Sequence, residues 1–188
     1  MSWVAACRVM ADDSPSTFQA GQTALIVKIP EVERAVRGWR ERLDPSARAG
    51  VPAHVTVLFP FLDESRMDVS VHSAIADTLH SHRAFDLRFE RCGRLPEVLY
   101  LVPEPDTRLR QLTQAIADRW PETPPYGGRF SEVIPHLTVA QRQEPAVLDE
   151  VEADLLGDLP LTAHVSSVEL IVHDGTKWQE RASFALRE

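Results

Sequence analysis

An internal repeat that carries the same polar motif twice is the feature that most constrains how this chain can fold. Residues 52–57 read PAHVTV and residues 135–139 read PHLTV, with the two histidines 82 positions apart. A repeat of this kind indicates two similar units, each of which buries its apolar face with the help of the other. The two halves should therefore share one order of strands and helices.

Each motif is preceded by the same elements in the same order. Thr23–Val27 and Val98–Val102 are short β-prone runs, and each is followed at once by a proline-bearing turn. Apolar residues then recur at helical spacing, which predicts an amphipathic helix in each half. These residues are Val32, Val36, Trp39 and Leu43 in the first half and Leu109, Leu112 and Ile116 in the second.

The similarity continues downstream of each motif, where a second helix leads into a second strand. The strands are Phe85–Phe89 and Leu161–Val165, and in both the apolar residues occupy odd-numbered positions. The alternation then changes parity, at Cys92 in one half and at Val168 in the other, which predicts a β-bulge at each place. A last strand, at about 178–186, is predicted to close the sheet of the second half.

These patterns predict an α+β fold made by duplication of a β-α-β-α-β unit. Two lobes related by a pseudo-two-fold axis would place two antiparallel sheets on either side of a central cleft, with the helices outside. We expect residues 22–188 to form a single domain, with lobe one at about 22–96 and lobe two at about 97–188. Residues 1–21 match nothing in the repeat and are predicted to be an N-terminal extension. We expect a monomer.

The repeated motif places one imidazole and one hydroxyl side by side in each half. Residues i and i+2 of a strand point to the same face, so His54 projects with Thr56, and His136 projects with Thr138. Two lobes around a pseudo-two-fold axis can bring these pairs together across the cleft. The sequence therefore predicts one site that contains two histidines and two threonines.

This set of side chains suits the cleavage of a phosphodiester. One histidine can deprotonate the attacking group while the other protonates the departing oxygen, and the sequence leaves open which does which. The hydroxyls of Thr56 and Thr138 can donate hydrogen bonds to the non-bridging phosphate oxygens. No acidic cluster lies beside the motifs, so we expect neither a metal nor another cofactor.

Composition narrows the partners and the location. A net charge of −8 disfavours a long nucleic acid bound along a broad basic face, and DNA is not expected. No apolar run approaches the ~20 residues that span a bilayer, and the apolar stretch before Cys7 is too short for a secretory signal. With Cys92 the chain has only two cysteines, too few for a disulfide framework. We therefore expect a cytoplasmic protein.

A glycine-bearing loop before the second motif adds two candidates. Tyr126 and Arg129 lie in it, and from there they could reach a substrate base or phosphate. Arginine is a natural bidentate partner of phosphate. The alternative for Arg129 is an ion pair with a nearby carboxylate such as Glu132, and the sequence does not choose between the two.

The remaining histidines have simpler explanations. His164-Val-Ser166 imitates the motif but has no partner in the repeat, so we expect His164 on a strand surface. His72 and His80 lie two helical turns apart, ~12 Å along the axis, which is too far for a shared metal. His173 precedes Asp174-Gly175, a hairpin turn signal, and is expected only to flank that turn.

With these motifs the chain resembles the 2H phosphoesterases, and within them the 2′-5′ RNA ligase and cyclic phosphodiesterase group. The resemblance covers residues 22–188 and is most specific at 126–130 (YGGRF) and 134–140 (IPHLTVA). It implies general acid and base roles for His54 and His136, and phosphate binding by Thr56 and Thr138. It also implies hydrolysis of 2′,3′-cyclic phosphates, on RNA ends or small nucleotides, to 2′-phosphates.

Three hypotheses of function follow. The first is a metal-independent phosphodiesterase that acts on a 2′,3′-cyclic phosphate in an RNA terminus or a small nucleotide. The second is 2′-5′ RNA ligation at the same site, in which a ribose hydroxyl replaces water as the attacking group. The third is a non-catalytic module that binds a nucleotide or a phosphorylated partner, for which the four intact motif residues give less reason.

Overall fold

The computed structural model describes residues 18–130 and 132–188. Within these ranges the chain is an α+β protein with two four-stranded antiparallel sheets and five α-helices, which confirms the predicted fold class. Most of the predicted N-terminal extension, including Cys7, lies outside the described residues. None of the helices in the described part of the chain is long and apolar enough to cross a bilayer.

The strands and helices alternate along the chain much as the repeat predicts. The strands are β1 Thr23–Lys28, β2 His54–Leu58, β3 Phe85–Leu95, β4 Val98–Glu104, β5 Leu137–Gln141, β6 Leu161–Val165, β7 Ser167–His173 and β8 Trp178–Ala185. The helices are α1 Pro30–Leu43, α2 Pro45–Arg48, α3 Val69–His80, α4 Thr107–Arg119 and α5 Pro145–Leu155, with short 3₁₀ turns at Glu64–Arg66 and Pro125–Gly128.

The two sheets exchange strands between the halves of the chain. One sheet has the order β2-β1-β7-β8, and the other has the order β5-β4-β3-β6. The prediction that the last strand closes the sheet of the second half is therefore wrong, because β8 pairs with β7 beside β1 and β2. In the same way β3, which belongs to the first half of the sequence, pairs with β4 and β6.

The two parity changes have different structural causes. In β3 the register with β4 shifts between Phe89 and Cys92, which confirms the predicted bulge. Between β6 and β7 there is no bulge, and the prediction there is wrong. The chain leaves one sheet at Val165, the end of β6, and enters the other at Ser167, the start of β7. Ser166 is the single residue between these two strands. A change of sheet and a bulge reverse the alternation in the same way, and the sequence pattern does not distinguish them.

The helices also cross between the sheets and so hold the two lobes together. The first helix, α1, follows β1 but packs against β5 and β6 of the other sheet. Likewise α4 follows β4 but packs against β2. The proline at the start of α1, its acidic first turn and its basic last turn suit a helix of this polarity. Because α1 and α4 each cover the sheet of the opposite half, the two sheets share one core.

That core leaves one face of each motif strand free. The side chains of Val55 and Val57 in β2, and of Leu137 and Val139 in β5, are buried in the shared hydrophobic cluster. The residues between them are only half-buried. Since β2 and β5 contact each other, these half-buried faces of the two motif strands lie near one another.

Candidate active site

The two motif histidines occupy equivalent positions in the two sheets. His54 is the first residue of β2, and His136 immediately precedes β5. Both rings, and the threonine two residues after each, are half-buried, while the residues between them are buried. The alternation predicted from the sequence thus directs each imidazole–hydroxyl pair away from the core and toward solvent.

Each imidazole is held by the backbone in the same way. The Nδ1 of His54 lies 2.8 Å from the carbonyl oxygen of Pro52, and the Nδ1 of His136 lies 2.6 Å from that of Ile134. A carbonyl can only accept, so Nδ1 carries the hydrogen when the ring is neutral. The Nε2 lone pair of each ring is then available to take a proton. Both halves therefore present a ring in one fixed tautomer.

The pKa of each histidine is lower than usual, for related reasons. Burial is the largest cause at His54, and the positive charge of Arg40 adds to it, so the pKa falls from 6.5 to about 4. The charge of His136 also contributes, which means that the two rings interact electrostatically. At His136 burial lowers the pKa while the bond to Ile134 opposes the change. Both rings thus favour the neutral form near pH 7.

A cavity of about 270 Å³ opens beside the second motif. His136 and Thr138 line it together with Tyr126, and much of the remaining wall is apolar, including Phe130 and Ile134. The ring of Phe130 meets that of Tyr126 edge-on, 5.6 Å between centroids, and about 41% of Phe130 is exposed. The site therefore has an open, largely apolar recess directly next to one of its histidines.

Tyr126 connects this recess to the first motif. Its hydroxyl interacts with the side chain of Thr56, which acts to lower the pKa of the phenol, and its backbone N–H donates to the carbonyl of Phe59 at 2.6 Å. Burial raises the pKa of Tyr126 to about 12. The tyrosine therefore stays neutral near neutral pH. His54 and Thr56 do not line the recess themselves, so Tyr126 is what joins the two halves of the site there.

The backbone conformation of this turn explains its glycines. Tyr126 has a φ of 52°, and the next two residues continue in the left-handed region, with φ of 63° at Gly127 and 74° at Gly128. Only glycine adopts such a run without strain, so the Gly-Gly pair lets the chain reverse directly after Tyr126. The tight turn follows a tyrosine whose backbone N–H is bonded to the carbonyl of Phe59, directly after β2.

Arg129 is placed differently from Tyr126. It lies exposed after the turn and does not line the recess. The alternative partner named for it, Glu132, is bound by Arg110 instead, at 3.2 Å, and Arg110 also donates to the carbonyl of Val133 at 2.7 Å. Of the two candidates in this loop, the structure brings only Tyr126 to the motifs.

The ring of His136 also contacts an aromatic side chain of the neighbouring strand. Tyr100 of β4 lies opposite Thr138 of β5 in the register, and its ring meets that of His136 at 63°, with 5.5 Å between centroids. Tyr100 is 8% exposed. Its ring lies next to Gly93 of β3, its partner in the register, where an added Cβ would be 2.5 Å from the tyrosine Cζ. Gly93 therefore makes room for the ring that packs against the histidine.

We predict that replacing Gly93 by alanine disturbs this support. The Tyr100 ring can clear the new methyl group only by leaving His136, so we expect a stability loss of about 1–3 kcal/mol, typical of overpacking, together with a lower kcat. Urea unfolding and steady-state kinetics measure both. The control is Gly38→Ala, because nothing lies within 4 Å of a Cβ there in α1. Equal, small effects of both substitutions would contradict the supporting role.

Two cations near the first motif were not singled out by the sequence patterns. Lys28 lies directly opposite His54 in the β1–β2 register, and its ammonium group pairs with Glu180 at 2.8 Å. Arg40, on α1, is buried. The sequence carried a signal for Arg40, because Val32, Val36 and Arg40 follow at intervals of four along the buried face of the helix.

The other histidines lie where the sequence predicts or close to it. His164 is exposed on β6, and its Nδ1 lies 2.6 Å from a carboxylate oxygen of Asp86. His173 does precede a hairpin turn, but it is buried and packs edge-on against Trp178. Among the described residues, no three histidine, cysteine or acidic side chains are grouped as the ligands of a metal ion would be.

Comparison with known proteins gives consistent results. The model of the 2′-5′ RNA ligase superfamily matches residues 29–177. The structure of E. coli LigT complexed with 3′-AMP superposes with a TM-score of 0.59 at 18% identity, covering 90% of this chain and 100% of that one. The protein TT0787 of Thermus thermophilus gives 0.59 at 21% identity, covering 88% and 98%. A phosphoesterase structure gives 0.56 at 18% identity, covering 90% and 100%.

These findings carry different weight. Among curated proteins none matches the chain significantly, and identities of 18–21% to the solved structures establish a shared fold. The family model is more specific because it spans most of the chain, including both His-x-Thr motifs and the turn at Tyr126. This protein belongs to the 2′-5′ RNA ligase superfamily and, with it, to the 2H phosphoesterases.

Proposed function

We propose that this protein is a metal-independent phosphodiesterase that opens a 2′,3′-cyclic phosphate on an RNA terminus or a small nucleotide. The observation that carries the proposal is that the two histidines have the same tautomer and the same backbone contact. Each Nδ1–H donates a hydrogen bond to the carbonyl two residues earlier, and the two rings interact electrostatically. Two such Nε2 atoms can take and give one proton each on opposite sides of a phosphorus atom.

The proposed reaction uses both rings and both threonine hydroxyls. His54 takes a proton from water as its oxygen forms a bond to phosphorus, and the bond from phosphorus to the ribose O3′ breaks. His136 gives its proton to O3′, which leaves a 2′-phosphate. The hydroxyls of Thr56 and Thr138 donate to the non-bridging oxygens, where negative charge develops. His54 gains one proton and His136 loses one, so the number of protons on the pair does not change.

We assign the base to His54 because its environment disfavours the proton more strongly. Burial acts on both rings, but the charge of Arg40 lowers the pKa of His54 in addition. When the pair holds one proton, that proton therefore resides on His136. This distribution is the one that the reaction needs, with a neutral base and a protonated acid.

The recess beside His136 suits a nucleoside. At about 270 Å³ it lies near the lower end of the range for small-molecule pockets. Its apolar wall and its edge-on ring pair of Tyr126 and Phe130 can pack against a base, as aromatic side chains commonly do with single-stranded nucleotides. E. coli LigT structures, which share the fold, are complexed with 3′-AMP, ATP and NADP+, which supports a nucleotide as ligand.

The experiment that tests this function is a hydrolysis screen of the four 2′,3′-cyclic mononucleotides and of RNA ending in a cyclic phosphate, with EDTA present. We expect turnover to 2′-phosphates that EDTA does not reduce. Loss of activity on chelation would reject the metal-independent mechanism. Binding without turnover on every substrate would instead favour a non-catalytic nucleotide-binding module.

Ligation is the second candidate, favoured by the family model that matches the chain. In ligation a ribose 5′-hydroxyl takes the place of water, and the product is a 2′-5′ linkage with the same leaving group. The same histidines and threonines would act. Analysis of products formed from a cyclic-phosphate oligonucleotide and a 5′-hydroxyl oligonucleotide separates the two outcomes.

We predict a bell-shaped dependence of kcat/KM on pH with its maximum below pH 6.5. Both histidines have a lowered pKa, so activity should fall at higher pH as His136 loses its proton. At lower pH it should fall as His54 gains one, with a limb near the His54 pKa of about 4. Circular dichroism at each pH serves as the control for folding. A maximum above pH 6.5 would contradict the assignment.

A further inference from the structure

A buried ion pair lies beneath both motif strands. Arg40 of α1 and Asp44, which follows the same helix, are 1% and 0% exposed. The guanidinium NH2 group lies 2.8 Å from Asp44 Oδ2, and Nε lies 3.1 Å from the same oxygen. The sequence patterns did not single out either residue. Neither one donates or accepts a proton in the proposed reaction, in which Arg40 acts only through its charge.

The other hydrogen bonds of the guanidinium reach both motifs. Its Nε also donates to the carbonyl oxygen of Thr138, at 3.1 Å, which belongs to the threonine of the second motif. Its NH1 group donates to the carbonyl oxygen of Val51, three residues before His54, at 3.3 Å. One rigid side chain therefore binds the backbone on either side of the junction between the two sheets.

Asp44 fixes the guanidinium from the opposite side. Besides binding Arg40, the carboxylate accepts hydrogen bonds from the backbone N–H of Ser46, at 2.9 Å, and from the side chain of Gln141, at 3.2 Å. Gln141 is the last residue of β5 and also lines the recess. The pair is thus anchored in α2 on one side and in the second motif strand on the other.

Arginine suits this position for a geometric reason. Its planar fork directs several donors in fixed directions, whereas a lysine ammonium is a point charge on a flexible stem. The carbonyls of Val51 and Thr138 lie in different lobes, and a fork that binds both can hold them at a fixed separation. Since Val51 is three residues before His54, this separation bears on the distance between His54 and the second motif.

The charge of Arg40 also acts on His54. It lowers the pKa of that histidine, while Asp44 opposes it with a smaller effect. The other charged or titratable groups beside His54 are His136 from the opposite lobe and Lys28 from β1, which pairs with Glu180. A change at Arg40 should therefore be visible in the titration of His54 as well as in catalysis.

We propose that Arg40 is a positioning residue, whose guanidinium holds the two His-x-Thr strands at the separation that the reaction needs. The inference rests on the proposed function for its catalytic consequence, but the geometry can be tested without it. If the pair served stability alone, a neutral replacement of similar size would restore activity once the protein folds, since buried ion pairs are often replaceable in this way.

The experiment compares three variants of α1. Arg40→Lys keeps the charge and removes the fork. Arg40→Met combined with Asp44→Asn removes both charges, and the asparagine oxygen can still accept from Ser46. Arg37→Lys is the matched control, because Arg37 is exposed and pairs with Glu33 on the same helix. Thermal unfolding identifies which variants are folded before kinetics are measured.

We expect both Arg40 variants to lose kcat by about 10²-fold, the size of effect that a small misplacement can cause, with KM little changed. In imidazole NMR titrations, the His54 pKa should rise in the double variant and stay near its original value in Arg40→Lys. The Arg37 variant should match the wild type in all three measurements. Folded Arg40 variants with wild-type kcat would overturn the proposal.

The titration also separates this inference from the proposed function. If the wild type turns over no cyclic phosphate, the proposed function fails, and the signals of both His54 and His136 still report on the geometry. A change in the chemical shifts of both imidazoles in Arg40→Lys but not in Arg37→Lys, with the His54 pKa near its original value, would support the positioning role. Unchanged signals of both histidines in the folded Arg40 variants would reject it.

Discussion

Replacing either His54 or His136 by alanine is expected to lower kcat/KM for a 2′,3′-cyclic nucleotide by ~10²–10⁴-fold, the usual contribution of a general acid or base. Both rings are half-buried on the free face of their strands, and neither packs in the shared core. The melting temperature should therefore change little. Initial rates at the pH optimum and thermal unfolding measure the two effects separately.

A third histidine provides the control for this experiment. His164 lies in the same His-x-Ser/Thr pattern on β6, but it is exposed and bound to Asp86, so His164→Ala should retain wild-type activity. The His54→Ala, His136→Ala double variant should lose little more than either single variant, because acid and base act as a unit. Wild-type activity in either single variant would reject the catalytic assignment.

Removing the threonine hydroxyls should have the next largest effect. Thr56→Val and Thr138→Val keep the shape and the strand preference of the side chain, and each removes one donor to the non-bridging oxygens. We expect kcat to fall by ~10²–10³-fold for each, as observed when one donor of an oxyanion site is lost. Thr56→Val also removes the side-chain interaction with Tyr126, which lines the recess, so it should have the larger effect on KM.

The control for the threonines is Thr162→Val, an exposed position on β6, which should leave kcat and KM unchanged. Whether the threonine substitutions change kcat or KM distinguishes two roles for the hydroxyls. A rise in KM with unchanged kcat would mean that the hydroxyls bind substrate and transition state equally. That result would contradict their proposed role in stabilising developing charge.

The sequence predicted the placement of the motif residues better than it predicted the pairing of the strands. The period-two alternation around His54 and His136 gave the face on which the motifs lie, because in a half-buried strand this alternation directly reflects burial. Strand pairing was partly mispredicted, because apolar alternation shows which face of a strand is buried but not which other strands it pairs with. Ser166 illustrates the problem, because a single residue that joins two sheets reverses parity in the same way as a bulge.

The supporting residues were missed for other reasons. Tyr100 lies in a continuous apolar run in β4 and looks like core, and its contact with His136 depends on the distant Gly93. Arg40 and Asp44 extend the buried stripe of α1 at the same four-residue interval as Val32 and Val36. Two opposite charges that continue an apolar stripe indicate a buried ion pair, and this signal was available in the sequence.

The exchange of strands between the two sheets has a consequence for how the chain is made. On the ribosome, a nascent chain that has emerged as far as Val165 contains all four strands of the second sheet. The first sheet then has only β1 and β2, and the edge of β1 that later binds β7 is open. A two-stranded ribbon is marginal in water, and an open edge invites pairing with other chains. Products of premature termination should therefore aggregate, even when they are nearly full length.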